Sequence, residues 1–351
     1  MIGGHGNDLQ AYEEAIRGDF SSNIPYRNAS KRIAAHLRNT LSLIDDYPDP
    51  YARRLTQLIG AHHAVSPQQI LVTNGSAEAF YLLAHLFAGR RSTIAYPSFA
   101  EYEDACRVYQ HALTFIAVEE VGHTQQMPDG DALWLAVPNN PTGTVQSRDT
   151  LDRLCRENPH TEVIVDTAYG ELCPQCEPLT GLHEKQSNFI SVHSLTKTFG
   201  IPGLRLGYVI ARRDTIDALR ALSVPWAVNA LAQEAGSYVM QHYRDLLPDS
   251  NALCREAALF REQLRTVPHL TVYDSPCHFF LARLETKHTA AELKTFLINR
   301  YGLLIRDAAN FRGLSPQHFR LSVQEPALNE ALTDGLKEFT IHHSSLITHH
   351  S

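Results

Sequence analysis

A lysine in a loop rich in hydroxyl-bearing residues is the first feature of the sequence that could do chemistry. Lys197 stands in the run HSLTKTFGIPGLRLGY, four residues after an apolar, strand-like segment that ends at His193. Burial lowers the pKa of a lysine, so its neutral amine can condense with an aldehyde. The neighbouring hydroxyl groups and Arg205 suit a phosphate dianion. Taken alone, a lysine in such a loop is equally typical of a solvated surface loop.

Further polar residues follow other strand-like runs. Asp166 ends the run VIVD, where a carboxylate can pair with a buried cation, although an isolated aspartate there is also a typical helix N-cap. Asn140 lies in PNNPTG after LWLAV, a run that by itself indicates a turn. Gly75 and Ser76 form a strand–turn–helix entry. Backbone N–H groups at such an entry bind anions, but many similar turns bind nothing.

These residues require a sheet that brings the ends of several strands together. Short apolar runs rich in β-branched residues alternate with helical patterns, such as those at 77–87 and 148–156. The runs lack strict alternation, which predicts strands buried on both faces of a mostly parallel sheet with helices on both sides. Ligands of such sheets bind at the carboxyl ends of the strands. The predicted strands are 70–73, 93–96, 114–118, 133–137, 163–166, 189–193 and 206–210.

The pattern changes after about residue 223. A largely helical stretch over 229–265 precedes strands at 270–273 and 279–284, a helix at 290–300, a strand at 319–323 and a helix at 327–339. We therefore predict a large α/β domain over 46–235 and a smaller α+β domain over 236–351. Residues 1–45 are rich in polar and turn residues, and we expect them to pack against the small domain or a partner chain.

Composition restricts the classes of function. The chain has 351 residues, 44 % of them hydrophobic, and a formal net charge of −7, which argues against a nucleic-acid or membrane-surface binder. It has neither a membrane-spanning apolar run nor a secretory signal, so we expect a cytoplasmic protein. Six scattered cysteines indicate no disulfide framework. The C-x-x-C pair Cys173 and Cys176 lacks the partners of a zinc site, so we interpret it as two loop thiols and expect no metal.

Taken together and in their order, the motifs are more specific than any of them alone. The string TNGSAEAF, YPSF, PNNPTG, VDTAY, SLTK and GLRLGY resembles the fold-type-I, pyridoxal-phosphate-dependent aminotransferases of classes I and II. The resemblance covers nearly the whole chain, from YPDP to FRLSV. It implies a seven-stranded, mostly parallel sheet in the large domain and pyridoxal 5'-phosphate as the cofactor.

The resemblance also implies roles for individual residues. Lys197 is expected to hold the cofactor covalently and to carry the proton, and Asp166 to pair with the pyridinium nitrogen. Tyr169 and Asn140 are expected to contact the 3'-oxygen, and Phe99 to stack on the ring where many relatives carry Tyr. Residues expected around the cofactor phosphate are Gly75, Ser76, Ala77, Ser194, Arg205 and Tyr47, the last from the neighbouring subunit of a homodimer.

Within this family two groups of enzymes stand out, the L-threonine-O-3-phosphate decarboxylases and the histidinol-phosphate aminotransferases. The opening GGHGND followed by DFSSNI, the segment PSFAEYEDA and the ending LLIRDAANFRGL with FRLSV are similar to the decarboxylases. The first hypothesis is thus decarboxylation of L-threonine O-3-phosphate to (R)-1-amino-2-propanol O-2-phosphate in cobalamin biosynthesis. The alternatives are an aminotransferase of the histidinol-phosphate type, a non-catalytic binder of the cofactor, and an α/β ligand-binding protein without a cofactor.

A phosphorylated amino acid carries a carboxylate and a phosphate, and each buried anion requires its own cationic or N–H-rich partner. Arg306 and Arg320, fourteen positions apart, are the predicted partners, with His5, Gly6 and Asn140 as further substrate contacts. Alternative interpretations remain for two of them: a surface pair with the adjacent aspartate for Arg306, and a frayed terminus for His5.

Overall fold

The computed structural model describes residues 6, 8–12, 15–123 and 130–342. A seven-stranded sheet forms the centre of the large domain, and a four-stranded sheet forms that of the small domain. In chain order the strands are β1 (Gly18–Asp19), β2 (Ile70–Thr73), β3 (Arg91–Tyr96), β4 (Ala112–Ala117), β5 (Ala132–Ala136), β6 (Glu162–Asp166), β7 (Phe189–Ser194), β8 (Gly207–Ile210), β9 (Leu270–Val272), β10 (Phe279–Leu284), β11 (Leu303–Leu304), β12 (Arg306–Asp307) and β13 (His318–Ser322).

The strands of the large sheet lie in the order β2-β8-β7-β6-β5-β3-β4. All pairs are parallel except those that β8 makes with β2 and β7, which are antiparallel. Every residue of β5 is buried, as expected for a strand with helices on both faces. The predicted mostly parallel sheet is confirmed, and each of its seven predicted strands is present within two residues of its predicted bounds.

Helices cover both faces of this sheet. Phe80 and Trp134 belong to a hydrophobic cluster that includes Val209 of β8, and Ile59 belongs to another that includes Tyr208 and Ile210 on the opposite face of that strand. The helices are α1 (Ser30–Arg38), α2 (Arg53–His63), α3 (Gly75–Leu86), α4 (Ala100–Val108), α5 (Arg148–Glu157), α6 (Leu182–Lys185), α7 (Leu195–Thr198), α8 (Arg213–Leu222), α9 (Ala230–Gln241), α10 (Tyr243–Leu246), α11 (Ser250–Leu264), α12 (Ala290–Tyr301) and α13 (Pro326–His342).

The small domain is an antiparallel sheet in the order β12-β13-β10-β9, packed against α11, α12 and α13. The N-terminal strand β1 pairs in parallel with β11, and Phe20 after it is fully buried in the small-domain core. Farther along, Ile33 of α1 packs into a cluster of the large domain. The residue bounds of the two domains and of the N-terminal segment stay predictions.

Two further expectations concern the cysteines and the membrane. The six cysteines are free thiols, and Cys173 and Cys176 lie in the loop after the short 3-10 turn that follows β6. In the part of the chain that the structure describes, none of the helices has the length and apolar character needed to cross a bilayer.

Candidate active site

The topology of the large sheet explains why residues far apart in sequence meet at one edge. Asp166 ends β6, and Ser194 ends β7 beside it. Asn140 and Phe99 follow the same ends of β5 and β3. Arg205 precedes its strand instead of following it. Because β8 is antiparallel, its first residue, Gly207, lies opposite Ser194 and Thr73, which brings Arg205 to the same edge.

Lys197 lies on the short helix α7 with its amine in the site. Its Nζ donates a hydrogen bond of 2.9 Å to the backbone oxygen of Ser22, in the N-terminal segment. Burial first, and then the charge of Arg320, lower the pKa of Lys197 to about 8. About a tenth of the amine is therefore neutral and nucleophilic at pH 7, far more than for an ordinary lysine, as covalent capture of an aldehyde requires.

Asp166 is a buried carboxylate held by two donors. The hydroxyl of Tyr102 donates to its Oδ2 at 2.5 Å, and the backbone N–H of Ala168 donates to Oδ1 at 2.8 Å. Burial raises the pKa of Asp166 to about 6, against the opposing effects of these hydrogen bonds and of Lys197. An anion in this position suits a cationic ring nitrogen, because such a partner offsets the cost of the buried charge.

A cradle for a phosphate lies at the start of α3. Gly75 adopts a φ of +77°, and a Cβ added there would lie 2.5 Å from Nη2 of Arg205. The guanidinium of Arg205 therefore approaches the backbone at a point that only glycine leaves open. Ser76 and Ala77 in the first turn of this twelve-residue helix face the same cavity as Ser194. Helix N–H groups, a hydroxyl and an arginine together are suitable ligands of a phosphate dianion.

Two arginines of the small domain form the opposite wall. Arg320 on β13 is buried and donates hydrogen bonds to Oδ1 of Asn140 and to the backbone oxygen of Ser21. Its Nε is buried and has no acceptor among the described residues. Arg306 on β12 is also buried. Burial first, and then the charge of Arg320, lower the pKa of Arg306 to about 10. Two neighbouring buried cations favour an anionic ligand.

These residues line one cavity of about 370 Å³. Most of the predicted site residues are among its walls: Gly6, Ser76, Ala77, Phe99, Asn140, Asp166, Tyr169, Ser194, Lys197, Arg205, Arg306 and Arg320. Gly75 lies directly behind, against Arg205. Tyr47 is elsewhere: its side chain is 85 % exposed and its ring packs 5.4 Å from that of Trp226. His5 lies outside the described residues.

Sequence reasoning missed several residues of this site. Ser22 and Phe311 lie in the motifs DFSSNI and NFRGL, but neither residue was assigned to the site. Tyr102 carried a usable signal, since it lies in the first turn of the helix that Phe99 caps, and the two rings pack edge-on at 5.9 Å. Glu101 also lines the cavity.

Comparison with known proteins assigns the family. Residues 11–336 match the family model described as aminotransferase class I and II. The chain belongs to this family. It is 31 % identical to the threonine-phosphate decarboxylase of Salmonella typhimurium over 335 residues, 91 % of this chain and 90 % of that protein. It is also 31 % identical over 325 residues to the histidinol-phosphate aminotransferase of Symbiobacterium thermophilum, 88 % of this chain and 86 % of the other.

A solved structure agrees with this assignment. The crystal structure of L-threonine-O-3-phosphate decarboxylase from Porphyromonas gingivalis superposes with a TM-score of 0.88 at 37 % identity, covering 92 % of this chain and 99 % of the other. As a member of the class I and II aminotransferase family, the chain is an enzyme whose cofactor is pyridoxal 5'-phosphate. The site fits this molecule in three respects: a buried amine for the aldehyde, a buried carboxylate for the ring nitrogen and an N–H-rich cradle for the phosphate.

Proposed function

We propose that this enzyme decarboxylates L-threonine O-3-phosphate to (R)-1-amino-2-propanol O-2-phosphate, a step that the family resemblance associates with cobalamin biosynthesis. One observation carries the proposal: Arg306 and Arg320 lie buried in the wall of the cavity that holds Lys197, and Nε of Arg320 has no acceptor among the described residues. A substrate with two anions would place one against each of these buried cations and offset the cost of burying their charge. The decarboxylases among the relatives, at 31 % and 37 % identity, support the same reaction.

The residues around the cofactor would have distinct tasks. Lys197 would hold the cofactor covalently, Asp166 would keep its ring nitrogen protonated, and Tyr169 with Asn140 would contact the 3'-oxygen. Phe99 would stack on the ring. The cofactor phosphate would be held by Gly75, Ser76, Ala77, Ser194 and Arg205 of the same chain and by Tyr47 of a neighbouring subunit. When bound, the cofactor supplies an electron sink for the bond that breaks at the α-carbon.

The positions of the two arginines suggest which anion each would hold. Arg320 donates to the backbone oxygen of Ser21 and Nζ of Lys197 to that of the adjacent Ser22, whereas Arg306 donates to the loop that follows β12. Arg320 therefore lies closer to the amine, and the substrate carboxylate is attached to the carbon that bears its own amine. We assign the carboxylate to Arg320, with Asn140 beside it, and the more distant phosphate to Arg306, with Gly6 and His5 as further contacts.

This assignment gives the arginines a part in selecting the reaction. The bond at the α-carbon that lies perpendicular to the cofactor ring would break most easily, because its electrons can overlap with the π-system of the ring. The way in which the two arginines hold the two anions therefore decides which bond occupies that position. In the proposed reaction the bond from the α-carbon to the carboxylate breaks and CO2 leaves. Nζ of Lys197 then delivers a proton to the α-carbon. Because its pKa is lowered, Lys197 is suited to give up and to take back this proton near neutral pH.

A second candidate is an aminotransferase of the histidinol-phosphate type. It is supported by the relative from Symbiobacterium thermophilum, which is as similar in identity as the decarboxylase of Salmonella typhimurium. The same cavity would then take a phosphorylated amine at Arg306, and Arg320 would hold the carboxylate of a 2-oxo acid in the second half of the reaction. The two candidates differ in a simple way: only the aminotransferase requires the 2-oxo acid.

We also propose that the enzyme acts as a homodimer. Ile44 and Tyr51, close to Tyr47 in sequence, have exposed apolar side chains, as do Trp226, which packs against the ring of Tyr47, and Val224 two residues before it. A second copy of the chain would cover this patch and place Tyr47 at the cofactor phosphate of the neighbouring subunit. Sedimentation of the loaded enzyme should give a dimer. A monomer with full activity would contradict this part of the proposal.

The experiment that tests the function compares two substrates, L-threonine O-3-phosphate and histidinol phosphate, each with and without 2-oxoglutarate, and identifies the products. The proposal expects 1-amino-2-propanol phosphate from the first substrate whether or not 2-oxoglutarate is present. Turnover of histidinol phosphate only in the presence of 2-oxoglutarate, with no CO2 from the first substrate, would replace the decarboxylase with the aminotransferase.

A further inference from the structure

Two sequence segments that lie more than two hundred residues apart meet beside the active site. Glu103 belongs to the segment AEYEDA on α4 of the large domain, and Arg312 to NFRGL in the loop after β12 of the small domain. Nε of Arg312 donates to Oε2 of Glu103 at 3.1 Å, and its Nη2 donates to Oε1 at 2.7 Å. The pair is thus bidentate, the geometry that gives arginine–carboxylate pairs their orientation.

One partner of this ion pair is shielded from water, whereas the side chain of Arg312 is 42 % exposed. Glu103 is buried. Burial acts to raise the pKa of Glu103, but hydrogen bonds from Arg312 and Arg107 outweigh it and hold the pKa below its usual value. The guanidinium of Arg312 also lies 3.7 Å from the ring centroid of Phe115 on β4. Partial exclusion of water strengthens both the ion pair and the cation–π contact.

The next residue of the loop makes a second contact with the large domain. Gly313 has a φ of +83°, and a Cβ added there would lie 3.0 Å from two ring atoms of Tyr96 at the end of β3. Both this close approach and the backbone conformation favour glycine. The loop of residues 308–314 is therefore docked on the large sheet at two adjacent positions.

The docked loop also holds Arg306. Oδ1 of Asn310 accepts a hydrogen bond of 2.8 Å from Nη2 of Arg306, and the ring of Phe311 lies 5.1 Å from its guanidinium carbon. Phe311 itself packs against the small-domain sheet and forms part of the cavity wall. A connected path of contacts runs from Glu103 through Arg312 and the loop to Arg306.

We propose that Glu103 and Arg312 are positioning residues that fix Arg306 for the phosphate of the substrate. This inference rests on the proposed assignment of the phosphate to Arg306. Neither residue lines the cavity, so both act through the loop and not by contact with the substrate. Loss of the pair should leave Arg306 charged but poorly oriented, which weakens phosphate binding without changing the groups around Lys197.

The chain provides a matched control in Arg107. This arginine donates two hydrogen bonds to Oε1 of Glu103, at 2.9 Å and 2.6 Å, from one turn further along the same helix, but it does not belong to the loop. Arg312→Met and Arg107→Met each remove one arginine from the same carboxylate. Only Arg312→Met also removes one of the two contacts between the loop and the large domain.

The test measures two quantities on the cofactor-loaded enzyme, the dissociation constant of inorganic phosphate and the separate kcat and KM for L-threonine O-3-phosphate. For Arg312→Met we expect the dissociation constant of phosphate and the KM each to rise roughly ten- to hundredfold, which corresponds to the loss of one hydrogen bond to a charged group. The kcat should stay within about twofold of that of the parent enzyme. For Arg107→Met both quantities should stay within about twofold. Arg312→Lys should recover part of the loss, since it keeps the charge but not the bidentate geometry.

Equal effects of Arg312→Met and Arg107→Met would overturn the proposal, as would a fall in kcat with KM unchanged. If Arg312→Met does not fold, Glu103→Gln applies the same test with less loss of packing, because it removes the charge of the carboxylate and keeps its shape. Phosphate binding does not depend on which reaction the enzyme performs. If Arg312→Met selectively weakens phosphate binding but the parent enzyme releases no CO2, the decarboxylase proposal is wrong and the positioning role is still supported.

Discussion

Replacing Tyr102 by Phe should raise the pKa of Asp166 and shift cofactor binding to higher pH. The substitution removes the hydroxyl that donates to Oδ2 of Asp166 at 2.5 Å but keeps the ring, which packs edge-on against Phe80 at 4.8 Å. A hydrogen bond to a charged group contributes about 1.5–3 kcal/mol, and one pKa unit corresponds to about 1.4 kcal/mol. The pKa of Asp166, about 6 in the parent protein, should therefore rise by roughly one to two units.

The sign and size of the effect on binding follow from the charge that the cofactor needs. A protonated ring nitrogen pairs with an ionised carboxylate, so affinity is lost as pH falls through the pKa of Asp166. At pH 7 the ionised share should fall from about nine-tenths to between one-half and one-tenth, and the affinity with it, whereas above about pH 9 the two proteins should bind alike. The bound cofactor itself favours the ionised form, but it does so in both proteins, so the difference remains.

The assay is titration of cofactor-free protein with pyridoxal 5'-phosphate from pH 5.5 to 9.5, followed by tryptophan fluorescence. Trp134 is a suitable reporter because its ring lies 6.3 Å from that of Tyr102. Tyr26→Phe is the matched control, since it removes a hydroxyl that donates to a carboxylate, that of Glu256, outside the cavity. If the pH at which cofactor affinity falls is the same in Tyr102→Phe as in the parent protein, the reasoning is refuted. A loss of affinity that is equal at every pH would refute it as well.

Three further predictions concern the cradle, the lysine and the carboxylate anchor. Gly75→Ala should destabilise the protein by about 1–2 kcal/mol and should weaken cofactor binding, because the new Cβ displaces Arg205. In the control Gly203→Ala the added Cβ meets nothing within 4 Å, so stability and cofactor binding should be unchanged. Thermal melts and cofactor titrations measure the two quantities. The rate at which cofactor-free protein captures pyridoxal 5'-phosphate should rise about tenfold per pH unit and level off above about pH 8, because only the neutral amine of Lys197 reacts. Stopped-flow absorbance measures this rate. A rate that still rises steeply at pH 10 would contradict the lowered pKa. Arg320→Lys should reduce kcat/KM about ten- to hundredfold, because a single ammonium cannot replace the hydrogen bonds of the guanidinium to Asn140 and Ser21; steady-state kinetics with an unchanged value would exclude Arg320 as an anchor.

The sheet and the polar residues at its edge could be predicted from the sequence because their signals are local. A strand buried on both faces is a continuous apolar run, and Asp166 or Asn140 then falls at its end by position alone. Arg205 was predicted from the family motif, and the structure supplies the physical reason. The strand that follows it is antiparallel, so residues before that strand lie at the edge where residues after the other strands lie.

Contacts between distant segments could not be predicted in this way. Ser22 accepts the hydrogen bond of Lys197 from 175 residues away, and Glu103 binds Arg312 from 209 residues away. Such pairs depend on how the small domain and the N-terminal segment pack on the sheet, and no periodicity within either segment encodes that arrangement. The segments AEYEDA and NFRGL were both visible as motifs, but only the fold brings them together.

The most direct test of the central claim is the amount of CO2 released per active site from L-threonine O-3-phosphate in the absence of any 2-oxo acid. The account predicts many equivalents, with the visible absorption of the bound cofactor retained throughout, because the cofactor is regenerated in each turnover. No CO2, together with a single stoichiometric loss of that absorption that only a 2-oxo acid restores, would contradict the account and identify an aminotransferase.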